Sequence, residues 1–316
     1  MTYEFYILAC AEPERGGGIY RYSFDGEVLT SLGHYPCDRP MFSIERDGVI
    51  HTIIRDAGEG RGAYFSTDRE LGNPTPLVDT LGICPCHLEV TDGDVYVVNY
   101  LSGNIVKNGK EVTTRVGRGP HTTRQDAAHT HFVTETPDRY LAVADLGCDT
   151  LAIYDREMRL VSETKCPDGY GIRHLVFSQD GRYIYAVNEL VSSVSVYSYD
   201  RGRAKLLSTT PIEILIEDAT AAAIKLSLDG SRLYVSVRGE DILCVFEVEK
   251  DRITLRQRIG CGGSRPRDIE LLGDDYLAVC NDASCEVAIF ALADGLVSDE
   301  PIKKFPIPHP LCCLSI

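Results

Sequence analysis

The sequence predicts an all-β fold, a seven-bladed β-propeller whose blades are four-stranded antiparallel sheets. The first observation is a repeat, in which a turn centred on aspartate, an apolar strand and a second strand recur every 42 to 49 residues. Repeats of this length are typical of propellers and solenoids. The turn aspartates are Asp47, Asp92, Asp138, Asp180, Asp229 and Asp274. A seventh copy without its turn opens the chain as EFYILACAEPERGGGIYRYSFDGEVL.

The second observation is that each repeat consists of strand-forming segments. Runs such as YIYAV, RLYVSV and YLAVC are rich in β-branched and aromatic residues, and Asp-Gly or similar turns bound them. No segment has a long helical period. Four strands in about 45 residues make one propeller blade, and seven such units close a ring. Because the chain has no tryptophan, a close match to WD-type repeats is excluded.

A closed ring must join the open edges of its first and last blades. Residues 3 to 10 are predicted to form a lone strand ahead of the first blade, and the tail HPLCCLSI has the pattern of a final strand. We therefore expect both termini to lie in one blade. The whole chain, residues 1–316, is then a single propeller domain.

With 44% hydrophobic and 25% charged residues, the composition is that of a soluble globular protein. No apolar stretch reaches the roughly 18 residues of a membrane span, and the N-terminus lacks the basic region of a signal peptide. We therefore expect a cytoplasmic protein whose twelve cysteines stay mostly thiols and pack as small hydrophobic residues. Cys84 with Cys86, and Cys312 with Cys313, lack the spacing of a zinc site.

The formal net charge of −15 restricts the possible partners. Nucleic acid and anionic membranes both require clustered cations, so neither is expected. An anionic substrate is compatible with this charge if a local arginine cluster reverses its sign. The expected partner is a small molecule, and the expected assembly is a monomer or a weak homodimer.

The most unusual polar segment is GRGPHTTRQDAAHTHFV, residues 117 to 133, which contains Arg124 and Gln125. His129 and His131 flank Thr130, so on a strand both would point to the same face. They predict an acid/base pair or an anion contact near neutral pH. Solvated loop histidines are the alternative, and a metal site would need a third ligand that the spacing does not supply.

A second group of polar residues lies in GIRHLVF and the strand that follows it. Arg173 and His174 enter a strand, and Glu189 follows Arg173 by sixteen residues, between an apolar strand and a turn. A desolvated glutamate in this place could act as a general acid or base. A salt bridge between Glu189 and Arg173 is the competing interpretation.

Several polar residues follow strands at equivalent points of the repeat, where a ring brings them to one end of its channel. An alignment of NEL with SVRG, ADLG and VNYLSG places four residues in such equivalent positions, namely Glu189, Arg238, Asp145 and Asn99. Four arginines could supply a local positive field for a phosphate or carboxylate, although each could instead make a surface ion pair. These arginines are Arg124, Arg173, Arg238 and Arg267.

Common catalytic templates are missing. The chain has no G-x-S-x-G elbow, no phosphate-binding G-x-x-x-x-G-K-[ST] loop and no G-x-G-x-x-G motif after a strand. Without a serine or cysteine nucleophile motif, direct attack by water is favoured over an acyl-enzyme.

In the segments CPCHLEVTDGDVYVVNYLSG, GRGPHTTRQDAAHTHFV, GIRHLVFSQDGRYIYAVNELVSSVSVY and SRPRDIELLGDDYLAVCND, the chain resembles the lactonase family of seven-bladed propellers. The resemblance covers essentially the whole chain, and the namesake activity of the family is 6-phosphogluconolactonase. It departs from the family pattern where GIRH replaces the usual G-P-R-H and where SVRG replaces S-N-R-G.

A fungal carboxy-muconate lactonising enzyme of the same family has a proposed catalytic histidine, two arginines and a glutamate. By resemblance, the catalytic residues here are His131 (or His129), Arg173, Glu189 and Arg238. Further residues are expected to bind substrate, and these are His87, Asn99, Arg124, Gln125, His129, Asp145, His174 and Arg267.

The resemblance implies hydrolysis of a sugar δ-lactone, with 6-phospho-D-glucono-1,5-lactone converted to 6-phosphogluconate in the pentose phosphate pathway. The expected reaction is attack of water by general acid/base catalysis, with no metal and no cofactor. One alternative is a lactonising isomerase that acts on a muconate-like diacid. The other is a non-catalytic propeller that binds a ligand or protein at the channel mouth.

Overall fold

The computed structural model describes residues 1–316 as seven antiparallel sheets arranged in a ring. Apart from one short 3-10 helix, Pro13–Arg15, all regular structure is β-strand. The predicted seven-bladed propeller is confirmed.

Each blade is named here in chain order and contains the following strands. Blade 1 has β1 (Tyr3–Ala9), β2 (Gly18–Phe24), β3 (Leu29–Tyr35) and the C-terminal β29 (Pro310–Ser315); blade 2 has β4 (Pro40–Arg46), β5 (Val49–Ile54), β6 (Ala63–Asp68) and β7 (Val78–Asp79). Blade 3 has β8 (Pro85–Thr91), β9 (Asp94–Asn99), β10 (Asn104–Lys107) and β11 (Glu111–Thr114); blade 4 has β12 (Thr130–Glu135), β13 (Leu141–Asp145), β14 (Thr150–Tyr154) and β15 (Leu160–Lys165).

The last three blades follow the same order. Blade 5 has β16 (Ile172–Phe177), β17 (Tyr183–Asn188), β18 (Ser193–Asp200) and β19 (Arg203–Pro211); blade 6 has β20 (Thr220–Leu226), β21 (Arg232–Arg238), β22 (Ile242–Glu249) and β23 (Arg252–Gly260). Blade 7 has β24 (Pro266–Leu272), β25 (Tyr276–Asn281) and β26 (Glu286–Ala293), and β26 pairs with both β27 (Leu296–Val297) and β28 (Lys303–Pro306).

The ring closes in blade 1, whose strand order is β29-β1-β2-β3. The C-terminal strand pairs antiparallel with the N-terminal strand, with Ile7 opposite Cys313 and Phe5 opposite Ser315. Both termini therefore lie in one blade, as the sequence predicts, and the innermost strand of blade 1 comes from the C-terminus.

The hydrophobic core is divided among the seams between neighbouring blades. Seven clusters of buried apolar residues lie one at each seam, so every sheet has apolar residues on both faces. This explains why β9, β13 and β21 are continuous apolar runs without the alternation of a half-exposed strand. At the blade 5–blade 6 seam, Val187 and Val196 pack with Val235.

The repeated aspartate turns join the innermost strand of a blade to its second strand. Asp47 and Gly48 have φ of 52° and 82°, and Asp92 and Gly93 have φ of 53° and 81°, which suits tight hairpins. These short turns lie at one end of the ring. The longer connections, such as residues 115–129 between β11 and β12, lie at the other end and can form a site there.

Two further findings concern membrane-spanning helices and cysteines. The chain contains no helix with the length and apolar character needed to cross a bilayer. All twelve cysteines are free thiols, and eight of them are buried.

The closing seam provides a stability test. Ile7 is fully buried between blades 1 and 7, so Ile7→Ala should lower the free energy of unfolding by about 2–5 kcal/mol, since it leaves a cavity. Urea denaturation measures this change. Leu32→Ala in the same blade, at a side chain 42% exposed, is the control and should change stability by less than about 1 kcal/mol. Equal effects of the two substitutions would contradict tight packing at the closure.

Candidate active site

A β-bulge that recurs in the innermost strands directs side chains toward one end of the central channel. Six of the seven innermost strands have a register shift at their second residue, where one extra residue is inserted opposite the neighbouring strand. Such a β-bulge re-directs a side chain out of the regular alternation. The six residues at these bulges are Met41, Cys86, His131, Arg173, Arg267 and Leu311.

A second row of side chains comes from the residue directly after the second strand of a blade. Arg55, Tyr100, Glu189 and Asp282 occupy this position in blades 2, 3, 5 and 7. All four line the same pocket as five of the six bulge residues; the sixth, Arg173, lines the smaller cavity beneath it. The two rows are contributed by successive strands of each blade, so the pocket draws on almost every repeat in the chain.

The pocket at this mouth has a volume of about 510 Å³. Five arginines and three acidic residues line it, so the lining is cationic in a protein with a formal net charge of −15. The charged residues are Arg55, Arg124, Arg238, Arg265, Arg267, Glu189, Asp218 and Asp282. This lining meets the condition for attracting an anionic ligand to an acidic protein.

Three arginines converge on the carboxylate of Glu189. Nε of Arg173 lies 2.9 Å from Oε2, Nη2 of Arg238 lies 3.1 Å from the same oxygen, and Arg124 pairs with Oε1. Glu189 is 2% exposed. The salt bridge between Arg173 and Glu189 that the sequence suggests is therefore present, as part of a larger cluster.

The cluster fixes the charge of its members. Burial would raise the pKa of Glu189, but attraction to Arg238 and Arg173 outweighs it and holds the pKa well below 4.5. Burial, followed by repulsion from Arg267, lowers the pKa of Arg173 to about 9, so this guanidinium is still protonated at neutral pH. Its Nη1 also donates a 2.6 Å hydrogen bond to the carbonyl of Ala222. Glu189 thus holds the arginines in place and is a weak base.

His131 is the titratable group beside this cluster that can accept a proton. Burial, followed by the field of Arg173, holds the pKa of His131 well below 6.5, so the imidazole is neutral at pH 7. Its ring lies edge-on to Tyr100, with 5.7 Å between the centroids. A neutral imidazole keeps one nitrogen lone pair, which is what a general base requires.

The remaining arginines of the pocket have no carboxylate partner. Arg55, Arg265 and Arg267 make no ion pair, whereas Arg124 and Arg238 share Glu189. Arg55 belongs to blade 2, and Arg265 and Arg267 to blade 7; Arg267 also lies close enough to Arg173 in blade 5 to line the same small cavity. The pocket therefore combines arginines that share the carboxylate of Glu189 with arginines that have no carboxylate partner.

The structure separates the two histidines that the sequence places on one face. His131 lies at the bulge of β12 and enters the pocket, while His129 precedes the strand. His129 is 3.0 Å from Asp126 and 2.9 Å from the carbonyl of Tyr100, and its ring stacks on that tyrosine. The expectation of a shared face fails because the bulge interrupts the two-residue alternation.

Asn99, Asp145 and Gln125 do not reach the pocket, contrary to expectation. Asn99 donates to the carbonyl of Thr80, and Asp145 accepts from Nε of Arg115 at 2.6 Å. Gln125 is fully buried, and its side chain hydrogen-bonds within its own long loop and to the carbonyl of residue 146. The strand pairing shows that Asn188, and not Glu189, is equivalent to Asn99 and Asp145; Glu189 is the residue after it.

His87 and His174 lie below the pocket, inside the channel. Their rings pack with Phe42 and Phe132 in an aromatic layer, with His87 centred 4.0 Å from each phenylalanine ring. Burial holds the pKa values of both histidines well below 6.5. Neither histidine lines the open pocket, so direct contact with a ligand there is not available to them.

Sequence reasoning missed several residues of the lining. Met41, Cys86, Leu311 and Tyr100 are among them. A signal for the bulge residues was present, because Pro40, Pro85, Pro266 and Pro310 each begin an innermost strand directly before one. A proline cannot donate a ladder hydrogen bond, which favours a bulge or strand start at that point. No signal in a single sequence distinguishes Tyr100 from other strand-end tyrosines.

Comparisons with known proteins agree with this architecture. Residues 5–315 match the family described as "Lactonase, 7-bladed beta-propeller". An uncharacterized protein of Staphylococcus epidermidis is 31% identical over 307 residues, which is 87% of this chain and 89% of that protein.

Two solved structures superpose over the whole of this chain. A candidate 6-phosphogluconolactonase of Bacteroides fragilis has a TM-score of 0.90 at 24% identity, with 98% of that chain covered. The periplasmic gluconolactonase of Pseudomonas aeruginosa has a TM-score of 0.89 at 22% identity, with 99% of that chain covered. At these identities the likeness concerns the fold.

The arginine cluster predicts a strong dependence of stability on Glu189. Glu189→Gln removes the charge that three arginines share, so the free energy of unfolding at pH 7 should fall by about 3–5 kcal/mol. The folded-state pKa is depressed, so wild-type protein should lose this stabilisation as the pH falls below 4.5, and the variant should not. Urea titrations from pH 7 to pH 3 measure both effects. Glu157→Gln, in an exposed ion pair with Arg159, is the control and should cost less than about 1 kcal/mol.

Proposed function

The chain belongs to the lactonase family of seven-bladed β-propellers, and from this membership we propose that it hydrolyses the ring ester of a sugar lactone. The observation that carries the proposal is the meeting of a neutral, buried imidazole with protonated arginines in one cationic pocket. Ester hydrolysis needs a base for the attacking water and a positive group for the developing oxyanion. His131 and the arginines around Glu189 would supply these two requirements.

The proposed reaction proceeds in two steps. A water gives a proton to His131 while its oxygen bonds to the lactone carbonyl carbon, and the carbonyl oxygen becomes an oxyanion beside Arg238 and Arg124. The tetrahedral intermediate then collapses and breaks the bond between this carbon and the ring oxygen. The leaving ring oxygen takes the proton from the His131 imidazolium, and the product is the open-chain hydroxy acid.

We assign the role of base to His131 because the charge of Glu189 is needed by the arginine cluster. A carboxylate whose pKa is well below 4.5 accepts a proton poorly at neutral pH. The three arginines would also lose their counter-charge if Glu189 were protonated. We therefore assign Glu189 the role of orienting Arg124 and Arg238 toward the substrate. Arg173, the most buried of the three, acts mainly by holding Glu189.

The unpaired arginines support a substrate with a second anionic group. Arg55, Arg265 and Arg267 could bind a phosphate by charge-assisted hydrogen bonds, while the lactone carbonyl lies near His131. A lactone with a phosphate at its far end, 6-phospho-D-glucono-1,5-lactone, meets this requirement. The proposed product is 6-phosphogluconate, which would place the enzyme in the cytoplasmic pentose phosphate pathway.

A second candidate is a lactonising isomerase that acts on a muconate-type diacid. The division of the arginines into two groups favours it, because each group could bind one carboxylate. Turnover of muconates in the absence of any lactone hydrolysis would select this function over the first.

Substitution of His131 tests the proposed base. His131→Gln should lower kcat for fresh 6-phosphogluconolactone by about 100-fold or more, because a general base contributes roughly 10²–10⁴ to the rate. The rate is measured by pH-stat titration of the released acid, against spontaneous hydrolysis. His121→Gln, at an exposed histidine in the 115–129 connection, is the matched control and should retain full activity. Wild-type protein that does not accelerate hydrolysis of phosphorylated or neutral lactones would refute the function.

The unpaired arginines are tested by selectivity. Arg267→Ala should raise KM for 6-phosphogluconolactone by about 10-fold or more, since a hydrogen bond to a charged group contributes roughly 1.5–3 kcal/mol. KM for unphosphorylated gluconolactone should change by less than about 2-fold, because it has no phosphate to lose. Arg159→Ala, at an exposed arginine outside the pocket, should alter neither constant. A parallel rise in both KM values would assign Arg267 to the reacting end of the substrate.

A further inference from the structure

A second, much smaller cavity lies beneath the floor of the pocket. It has a volume of about 20 Å³, and its polar lining includes His131, Arg173, His174 and Asp268. His131 lines both this cavity and the open pocket, as do Met41, Cys86, Arg267 and Leu311, so these side chains together separate the two spaces. Arg267 also lines the cavity, and the other walls are formed by Met41, Phe42, Cys86 and Leu311.

Two ring nitrogens at this cavity are buried without a hydrogen-bond partner. They are Nδ1 of His131 and Nε2 of His174, whose residues are 4% and 8% exposed. The two ring centroids are 5.2 Å apart. A buried polar atom without a partner costs about 1–3 kcal/mol, and such atoms are rare in folded proteins. Two of them beside one cavity indicate a shared partner.

The dimensions and the chemistry select that partner. A cavity holds one water when its volume exceeds about 10–15 Å³ and two to four polar groups face it. We propose that a single water in this cavity bridges His131 Nδ1 and His174 Nε2, and that His174 is a positioning residue for the base. This inference rests on the proposed function only in the catalytic role that it gives to His131.

The bridge would fix the tautomer of His131. Both imidazoles are neutral at pH 7, because burial holds their pKa values well below 6.5. In the productive arrangement, Nδ1–H of His131 donates to the water and the water donates to Nε2 of His174. The lone pair of His131 then resides on Nε2, where it can accept the proton of the attacking water. The opposite tautomer would have a proton on Nε2 and no base for the substrate side.

His87 provides a matched control for His174. It lies in the same aromatic layer, with its ring centroid 5.7 Å from that of His174, and it is 4% exposed. Its Nδ1 is also unpartnered, but His87 does not line the small cavity. Replacement of either histidine by phenylalanine keeps a ring of similar size in a layer that already contains phenylalanines.

The experiment combines a structural and a kinetic readout. A crystal structure of the wild-type protein, at a resolution that shows ordered waters, should contain one water within hydrogen-bonding distance of both nitrogens. The ¹⁵N shifts of the His131 ring should show a protonated Nδ1 in wild type and in His87→Phe, and a shift toward protonated Nε2 in His174→Phe. His174→Phe should lower kcat by about 10- to 100-fold with KM within about 2-fold, and His87→Phe should leave both nearly unchanged.

Each readout has an outcome that overturns the inference. An empty cavity in the crystal structure, or an unchanged His131 tautomer in His174→Phe, would refute the water bridge even if the protein hydrolyses lactones. Equal loss of kcat in the two phenylalanine variants would assign His174 a packing role only. A bridging water and a tautomer that depends on His174, in a protein without lactonase activity, would support the bridge and refute the proposed function.

Discussion

Antiparallel pairing between β29 and β1 is the interaction on which the other parts of the molecule depend. It brings the two ends of the chain into one sheet and removes the open edges that an unclosed set of seven sheets would leave. Closure also forms the seventh seam, where apolar residues of blades 1 and 7 pack. Each seam buries one face of each of the two adjoining sheets, so the hydrophobic stabilisation is spread around the ring. The innermost strands are thereby held in the fixed circle that defines the channel mouth.

The bulges of the innermost strands direct side chains from successive blades toward the same end of the channel, where they form the site. One inserted residue near the start of an innermost strand turns a side chain toward the channel, and the repeat presents such a residue from six blades. The side chains at these equivalent positions are chemically different. Those of blades 4, 5 and 7 are polar or charged, and those of blades 1, 2 and 3 are Leu311, Met41 and Cys86. The repeated bulge therefore determines where these side chains lie, and the different residue types at the bulge positions determine the chemistry of the pocket.

The pocket holds several buried or partly buried arginines close together, and their mutual repulsion has to be offset. Arginines packed near one another in a protein interior would repel, and Glu189 offsets this for three of them. Burial and the field of Arg173 lower the pKa of His131 and keep the imidazole neutral, and Glu189 partly offsets that field. Below this cluster, the layer of His87, Phe132 and His174 fills the channel. The proposed chemistry is thus confined to one mouth of the propeller.

The sequence by itself determined the number of blades, their closure by both termini and most of the polar residues near the mouth. The period of the aspartate turns and the β-branched strands are local properties, and a repeat displays them in every copy. Only the tertiary structure decided that His131 and not His129 enters the pocket, and that Glu189 has its equivalent in Tyr100 and not in Asn99. The physical reason is that side chains alternate along a strand every second residue, so a single inserted residue reverses which of them face the channel. A one-residue bulge depends on the pairing between strands, and that pairing exists only in the folded chain.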